Sequence, residues 1–209
     1  MKNFITSTVS GILAGIMIII GCSAYLACES KVVGAVFFSV ALLTICYKGF
    51  SLYTGRIGFL LSEHNKDQLT NLLAGLLGNV IGTFAFGFLV GYALPSLKQT
   101  AMVLAENKLS IEFLQTLIRG TFCGILMYVA VSVYKENKTV VGIIFCIPVF
   151  ILCGFEHSVA DMGYFAIAGH ISLKAFGFIM TVVLGNTIGA LIFPALKLIG
   201  KDKKKNEEN

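Results

Sequence analysis

Apolar residues follow one another along this chain in six long, charge-poor stretches: Val9 to Cys28, Val32 to Leu61, Leu69 to Leu97, Leu117 to Tyr134, Thr139 to Gly169 and Ala175 to Leu196. Roughly 20 apolar residues suffice for a helix to cross the hydrocarbon core of a bilayer. The pattern therefore predicts an all-α membrane protein of six transmembrane helices in a single domain, residues 1–209. The first stretch is full length and no convincing cleavage pattern follows it, so it is expected to remain in the mature chain.

Two stretches are interrupted by polar residues. The second contains Lys48-Gly49-Phe50-Ser51-Leu52-Tyr53-Thr54-Gly55-Arg56, and the fifth contains Glu156, His157 and Asp161 within Gly154 to Met162. An ionisable side chain at the bilayer centre costs about 2.5 to 3.5 kcal/mol even on a lenient insertion scale. Three in one segment point to a water-filled or substrate-filled path, and irregular backbone at that depth is tolerated only where it lines a cavity. His157, flanked by two carboxyl groups, is read as functional. Glu156 is expected either to cap a half-helix starting near Ser158 or to orient the imidazole. Asp161 follows His157 by four residues, so both face one side of that half-helix, where the carboxylate would favour a charged imidazolium.

The halves of the chain repeat. Gly78-Asn79-x-x-Gly82 recurs as Gly185-Asn186-x-x-Gly189, 107 positions later, and Gly11 and Gly15 match Gly120 and Gly124 as small-x-x-x-small faces. The repeats span about 5–97 and 110–200, followed by a basic and polar tail at 201–209. Three crossings per repeat make the two inverted relative to one another, and in such folds the path lies at their interface, formed by broken helices. Here the second and fifth helices are the broken ones. The Gly-Asn-x-x-Gly elements read as close helix packing held by an amide hydrogen bond, and Pro95, Pro148 and Pro194 as kinks or helix ends.

Composition agrees with the membrane assignment: 56% of residues are hydrophobic, 13% are charged and the mean hydropathy is +0.86, more apolar surface than a soluble domain of this size can hide. With six crossings both termini lie on one side. Lys197, Lys201, Lys203, Lys204 and Lys205 assign that side to the cytoplasm, giving nine basic residues inside (with Lys2, Lys66, Lys135 and Lys138) against four outside (Lys31, Lys98, Lys108 and Lys174). The tail also supplies the net charge of +5, and a membrane-surface signal accounts for it better than a nucleic-acid role. The six cysteines (Cys22, Cys28, Cys46, Cys123, Cys146 and Cys153) form no C-x-x-C pair or ligand spacing and read as small buried hydrophobes; no metal or cofactor is expected.

Gly154-Phe155-Glu156-His157-Ser158, Leu52-Tyr53-Thr54 and the two Gly-Asn-x-x-Gly elements together resemble the formate/nitrite transporter family over the whole chain. The resemblance implies an aquaporin-like six-helix protomer with its own pore, assembled as a homopentamer that passes small monovalent anions. It implies that His157 is the central pore histidine, Leu52 and Thr54 the loop facing it, and Lys108 the vestibule lysine. Phe38, Leu42, Leu52, Tyr53 and Phe150 would form the apolar constrictions. Gly124 stands where most members carry a pore asparagine, and Asp161 where asparagine is usual. Both departures are similar to the hydrosulfide-channel branch, which makes hydrosulfide the leading substrate ahead of formate and nitrite.

A bare anion pays heavily to leave water. Lys108 and half-helix ends would draw it into the vestibule, and His157 would offer a proton or hydrogen bond so that a weak acid crosses neutral. An enzyme using Glu156 and His157 as acid and base is disfavoured, since no cofactor fingerprint or metal constellation accompanies them. A pore for water or ammonia is set aside because Lys108 has no acidic counterpart.

Overall fold

The computed structural model describes residues 2–61 and 67–207, with side chains over 3–61 and 67–200. Lys66 lies outside the described residues, as do residues 208–209 and the side chains of Lys2, Lys201, Lys203, Lys204 and Lys205, on which the sidedness argument leans. The described elements are all helical: α1 (Lys2–Ala27), α2 (Lys31–Lys48), α3 (Tyr53–Arg56) running into a 3-10 turn (Ile57–Phe59), α4 (Gln68–Ala93), α5 (Pro95–Leu109), α6 (Phe113–Asn137), α7 (Val141–Leu152), α8 (Ser158–Ala168) and α9 (Leu173–Glu207).

Among the described residues, five helices carry a span long and apolar enough to cross a membrane: Asn3–Ala27, Lys31–Lys48, Gln68–Ala93, Phe113–Asn137 and Leu173–Gly200. The stretch from Thr139 to Gly169 is divided between the 12-residue apolar α7 and the 11-residue α8, separated by residues 153–157. The segment read as reaching Leu97 stops at Ala93: Leu94 leaves helical geometry and Pro95 opens α5, a position where a missing N–H costs nothing. Pro148 and Pro194 lie inside α7 and α9.

Helices α1 and α4, and α6 and α9, pack against each other through glycine. A Cβ at Gly78 would collide with the Thr8 carbonyl on α1, and one at Gly189 with the Thr121 carbonyl on α6. With no hydrophobic drive between helices in lipid, backbone-to-backbone approach of this kind supplies the association through van der Waals contact. Helix α8 is buried along its whole length, against α4, α5, α1 and α9. Outside this core, large apolar side chains such as Phe37, Leu89, Phe145 and Phe176 are exposed, a coat that suits lipid and would be a liability in water. The chain is a multi-pass membrane protein.

Candidate functional site

The two helix breaks are built from the same parts. Each opens on a glycine in the left-handed region, Gly49 (φ 68°) and Gly154 (φ 70°), which a side chain would strain. The next residue turns back onto its own helix: Phe50 N donates to Ile45 O at 3.0 Å and Phe155 N to Phe150 O at 2.9 Å. The third ties the break to a neighbouring helix, Ser51 N to Ser10 O at 3.3 Å and Glu156 N to Arg119 O at 3.4 Å. Then an asparagine clamps each. Asn79 Nδ2 donates to Gly11 O (2.9 Å) and Ser51 O (2.8 Å), and its Oδ1 accepts from Tyr53 N (2.9 Å). Asn186 Nδ2 donates to Gly120 O (2.8 Å) and Glu156 O (2.9 Å), and its Oδ1 accepts from Ser158 N (2.9 Å). Both asparagines are fully buried. In a bilayer these backbone groups would otherwise have no partner, and one amide satisfies three of them.

The shared scaffold makes Leu52 and His157 counterparts at the tips of the breaks. His157 caps α8, its Nδ1 accepting from Ala160 N at 3.1 Å. That occupies the Nδ1 lone pair, so the neutral ring carries its hydrogen on Nε2, which meets Thr54 Oγ1 at 2.7 Å. The Thr54 hydroxyl hydrogen is then left for another acceptor. Phe150 stacks on the imidazole (5.7 Å between centroids, planes 18° apart), and Phe38 meets Phe150 edge-on at 6.2 Å. Phe38, Leu42, Leu52, Thr54, Phe150 and His157 are all buried, none more than 3% exposed.

Two cavities are lined by residues of this cluster. One, of about 440 Å³, is lined by Phe38, Phe150 and His157 together with Lys31, Lys108, Arg119, Glu156 and Asp161. The other, of about 400 Å³, is lined by Leu42 and Leu52 with Arg56 and Lys135. The two share no lining residue, and the Thr54–His157 hydrogen bond joins the segment that supplies Leu52 to the segment that supplies His157.

Several residues sit elsewhere than the sequence reading had them. Lys108, near the end of α5, is not an open vestibule charge: its Nζ is bound by Glu156 Oε2 and by Asp161 Oδ1 at 2.9 Å, and its side chain is 11% exposed. Glu156 neither caps α8 nor orients the imidazole, because the cap is His157 itself and the Glu156 carboxylate is on Lys108. Asp161 pairs with the same lysine, so its charge is spent there and not on His157. The ground for setting aside a pore for neutral solutes also falls, since Lys108 has two acidic counterparts. Gly124 does not widen the path: a Cβ there would run into the main chain of Asn186, so this glycine is a seat for α9. Tyr53 turns away as well, its hydroxyl 2.7 Å from Thr187 Oγ1 within a separate cluster of Ile57, Leu72, Tyr128 and Ala190.

Gly78, Gly82, Gly185 and Gly189 do pack helix on helix, each with a neighbouring backbone in the space of its missing side chain. The sequence held a signal for the matched breaks that its Asn repeat only brackets: Gly49-Phe50 and Gly154-Phe155 recur 105 positions apart, at the same step of both turns. Among the described residues, no three His, Cys, Asp or Glu side chains converge as a metal site.

This combination of an all-helical membrane fold with two matched broken segments has relatives. The family model described as formate/nitrite transporter matches residues 1–199, and the chain belongs to that family. The transporter YwcJ of Bacillus subtilis is 31% identical over 148 residues, covering 64% of this chain and 58% of YwcJ. The nitrite transporter NirC of Salmonella typhimurium is 28% identical over 179 residues, covering 76% of this chain and 66% of NirC. The chain therefore matches between half and two thirds of these relatives' lengths. A solved pentameric formate channel with formate bound shares the fold, with a TM-score of 0.81 over 94% of this chain and 96% of that one, at 22% identity. The family comprises channels and transporters and is not an enzyme class.

Proposed function

We propose that this protein is a channel or proton-linked transporter for small monovalent anions, with hydrosulfide as the leading substrate and formate and nitrite behind it. The observation that supports it most is the pair of cavities, one lined by Phe38, Phe150 and His157 and the other by Leu42 and Leu52, together with the buried hydrogen-bonding pair Thr54 and His157. An apolar barrier excludes ions with their hydration shells; a hydroxyl and an imidazole at its centre offer a passing solute the partners that hydrocarbon lacks. The weak-acid character of hydrosulfide suits passage in a neutral form, with His157 as hydrogen-bond or proton partner. Within this reading α2 with α3, and α7 with α8, each count as one broken crossing. That makes six crossings in two inverted repeats, both termini in the cytoplasm and the protein in the cell membrane. Assembly as a homopentamer is part of the proposal, by analogy with the pentameric formate channel of similar fold.

The test is flux in liposomes, with hydrosulfide, formate, nitrite, chloride and sulfite compared with water and ammonia. Protein-dependent flux of hydrosulfide, formate or nitrite is expected. Rates equal to protein-free liposomes for every anion overturn the proposal. A neutral-solute pore is the second reading, supported by the two carboxylates on Lys108, and flux of water or ammonia alone would establish it in place of the first.

A further inference from the structure

A third cavity opens through the apolar coat of the protein. Its volume is about 230 Å³, and α4 (Val80, Phe84), α8 (Met162, Phe165) and α9 (Ile179, Val183) wall it with apolar side chains. Ile171, Phe176 and Met180, between 49% and 70% exposed, mark its open side. One end lies at the turn between α8 and α9, where His170 and Ser172 are the polar residues of the lining and Ser172 Oγ accepts from Ala175 N at 3.1 Å. The other end adjoins the asparagine clamps: Val80 follows Asn79, and Val183 stands three residues before Asn186. From Ser172 to Val183 the chain rises about 16 Å at about 1.5 Å per residue, half of a hydrocarbon core of roughly 30 Å. The groove thus runs the depth of one leaflet.

Positive charge gathers at the shallow end. Lys98 lies across the turn, its Nζ 3.9 Å from the place a Cβ would occupy at Gly169, and Lys174 follows in the first turn of α9. No carboxylate lines the groove, and among the described residues neither lysine is in an ion pair. We propose that this groove binds an anionic phospholipid, one acyl chain seated between α4, α8 and α9 and the headgroup phosphate held by Lys98 and His170. The volume admits about eight groups of roughly 30 Å³, the share of one water molecule, which is a stretch of acyl chain and far less than a helix. Helices that meet in lipid present small residues to one another, whereas phenylalanine, methionine and isoleucine surround this recess, so a second copy of the chain is the poorer occupant. The seated chain rests on Met162 and Phe165, a different face of α8 from the one that lines the Lys108 cavity. The site does not depend on which solute crosses the pore.

The chain has no tryptophan, so one introduced in the groove reports on the groove alone. Phe176→Trp supplies it, with Ile171→Trp as a second reporter should the first fail to assemble, and Phe145→Trp on α7, 67% exposed and outside the groove, as the comparison. Each is reconstituted in vesicles of phosphatidylcholine and phosphatidylglycerol with one or the other lipid brominated in the acyl chain, and fluorescence quenching gives the relative affinity of the two. At the groove, phosphatidylglycerol is expected to be preferred about fivefold, the effect of one lysine near an anionic lipid surface, against near parity at the α7 position. Adding Lys98→Gln, a change at an exposed residue, is expected to bring the groove to within about twofold of parity, and Lys98→Arg to keep the preference. Parity between the two lipids at the groove reporters overturns the inference, as does a preference that survives Lys98→Gln. Quenching by neither lipid also overturns it and shows that protein, a second copy of this chain, covers the groove.

Discussion

The break centred on Leu52 and the break centred on His157 share a backbone and divide the chemistry. Glycine, phenylalanine, a tie to the neighbouring helix and an asparagine clamp follow in the same order in both, with hydrogen bonds matching to about 0.1 Å for the clamps. At the tip, one presents an alkyl group and the other an imidazole. Beyond the tip, one helix carries Arg56 and the other, 105 positions later, Asp161. A repeated scaffold can carry different tips because the clamp bonds only to main chain, leaving side chains free to differ. The scaffold is thus common to both halves, while the imidazole and the carboxylate belong to one.

The comparison is tested most severely through the clamps. Asn186→Leu and Asn79→Leu each strand three buried polar groups, at about 1–3 kcal/mol apiece. Both should abolish recovery of assembled protein on size-exclusion chromatography; a variant that assembles with unaltered thermal stability would show that one break does not depend on its clamp. Next comes Lys108→Met, which leaves two carboxylates buried without a counter-charge at a cost of about 3–5 kcal/mol. Because the ion pairs are shielded from solvent, the loss of flux should persist at ~1 M salt, where exposed charges are screened beyond about 3 Å. Recovery of flux at high salt would instead mark Lys108 as an open steering charge.

Smaller effects sharpen the contrast further. Gly124→Ala forces a methyl into the α6–α9 contact and should cost about 1–3 kcal/mol, lowering the melting temperature while leaving the order of anion fluxes unchanged; a changed order with unchanged melting would return Gly124 to the path. At the tips, His157→Asn should keep assembly yet flatten the dependence of flux on pH, and Leu52→Ala should raise flux severalfold without altering that dependence. If the two substitutions have the same effect on the pH profile, the breaks do not divide the chemistry as described.

Much of this was legible in the order of residues alone. Six apolar stretches are enough for the membrane class, because lipid imposes length, apolarity and satisfied backbone on any segment that crosses it, while the duplicated Gly-Asn-x-x-Gly and the polar interruptions point to the two asparagine-clamped turns. The same constraint made His157 conspicuous. Side-chain partnerships were beyond reach for a different reason: they depend on which faces helices turn toward one another, and that is settled by packing between residues far apart in the chain. Nothing in the sequence around Lys108 announces Glu156 and Asp161, and a lysine beside a helix end reads as exposed until α5 is laid against α8. Gly124 looked like an amide removed from a pore, whereas the approach of α9 to within backbone contact makes it a glycine required by sterics. Sequence determined what had to be buried in this protein; only the tertiary structure decided which buried groups meet, because a hydrogen bond or an ion pair is a matter of a few tenths of an ångström between elements that share no local pattern.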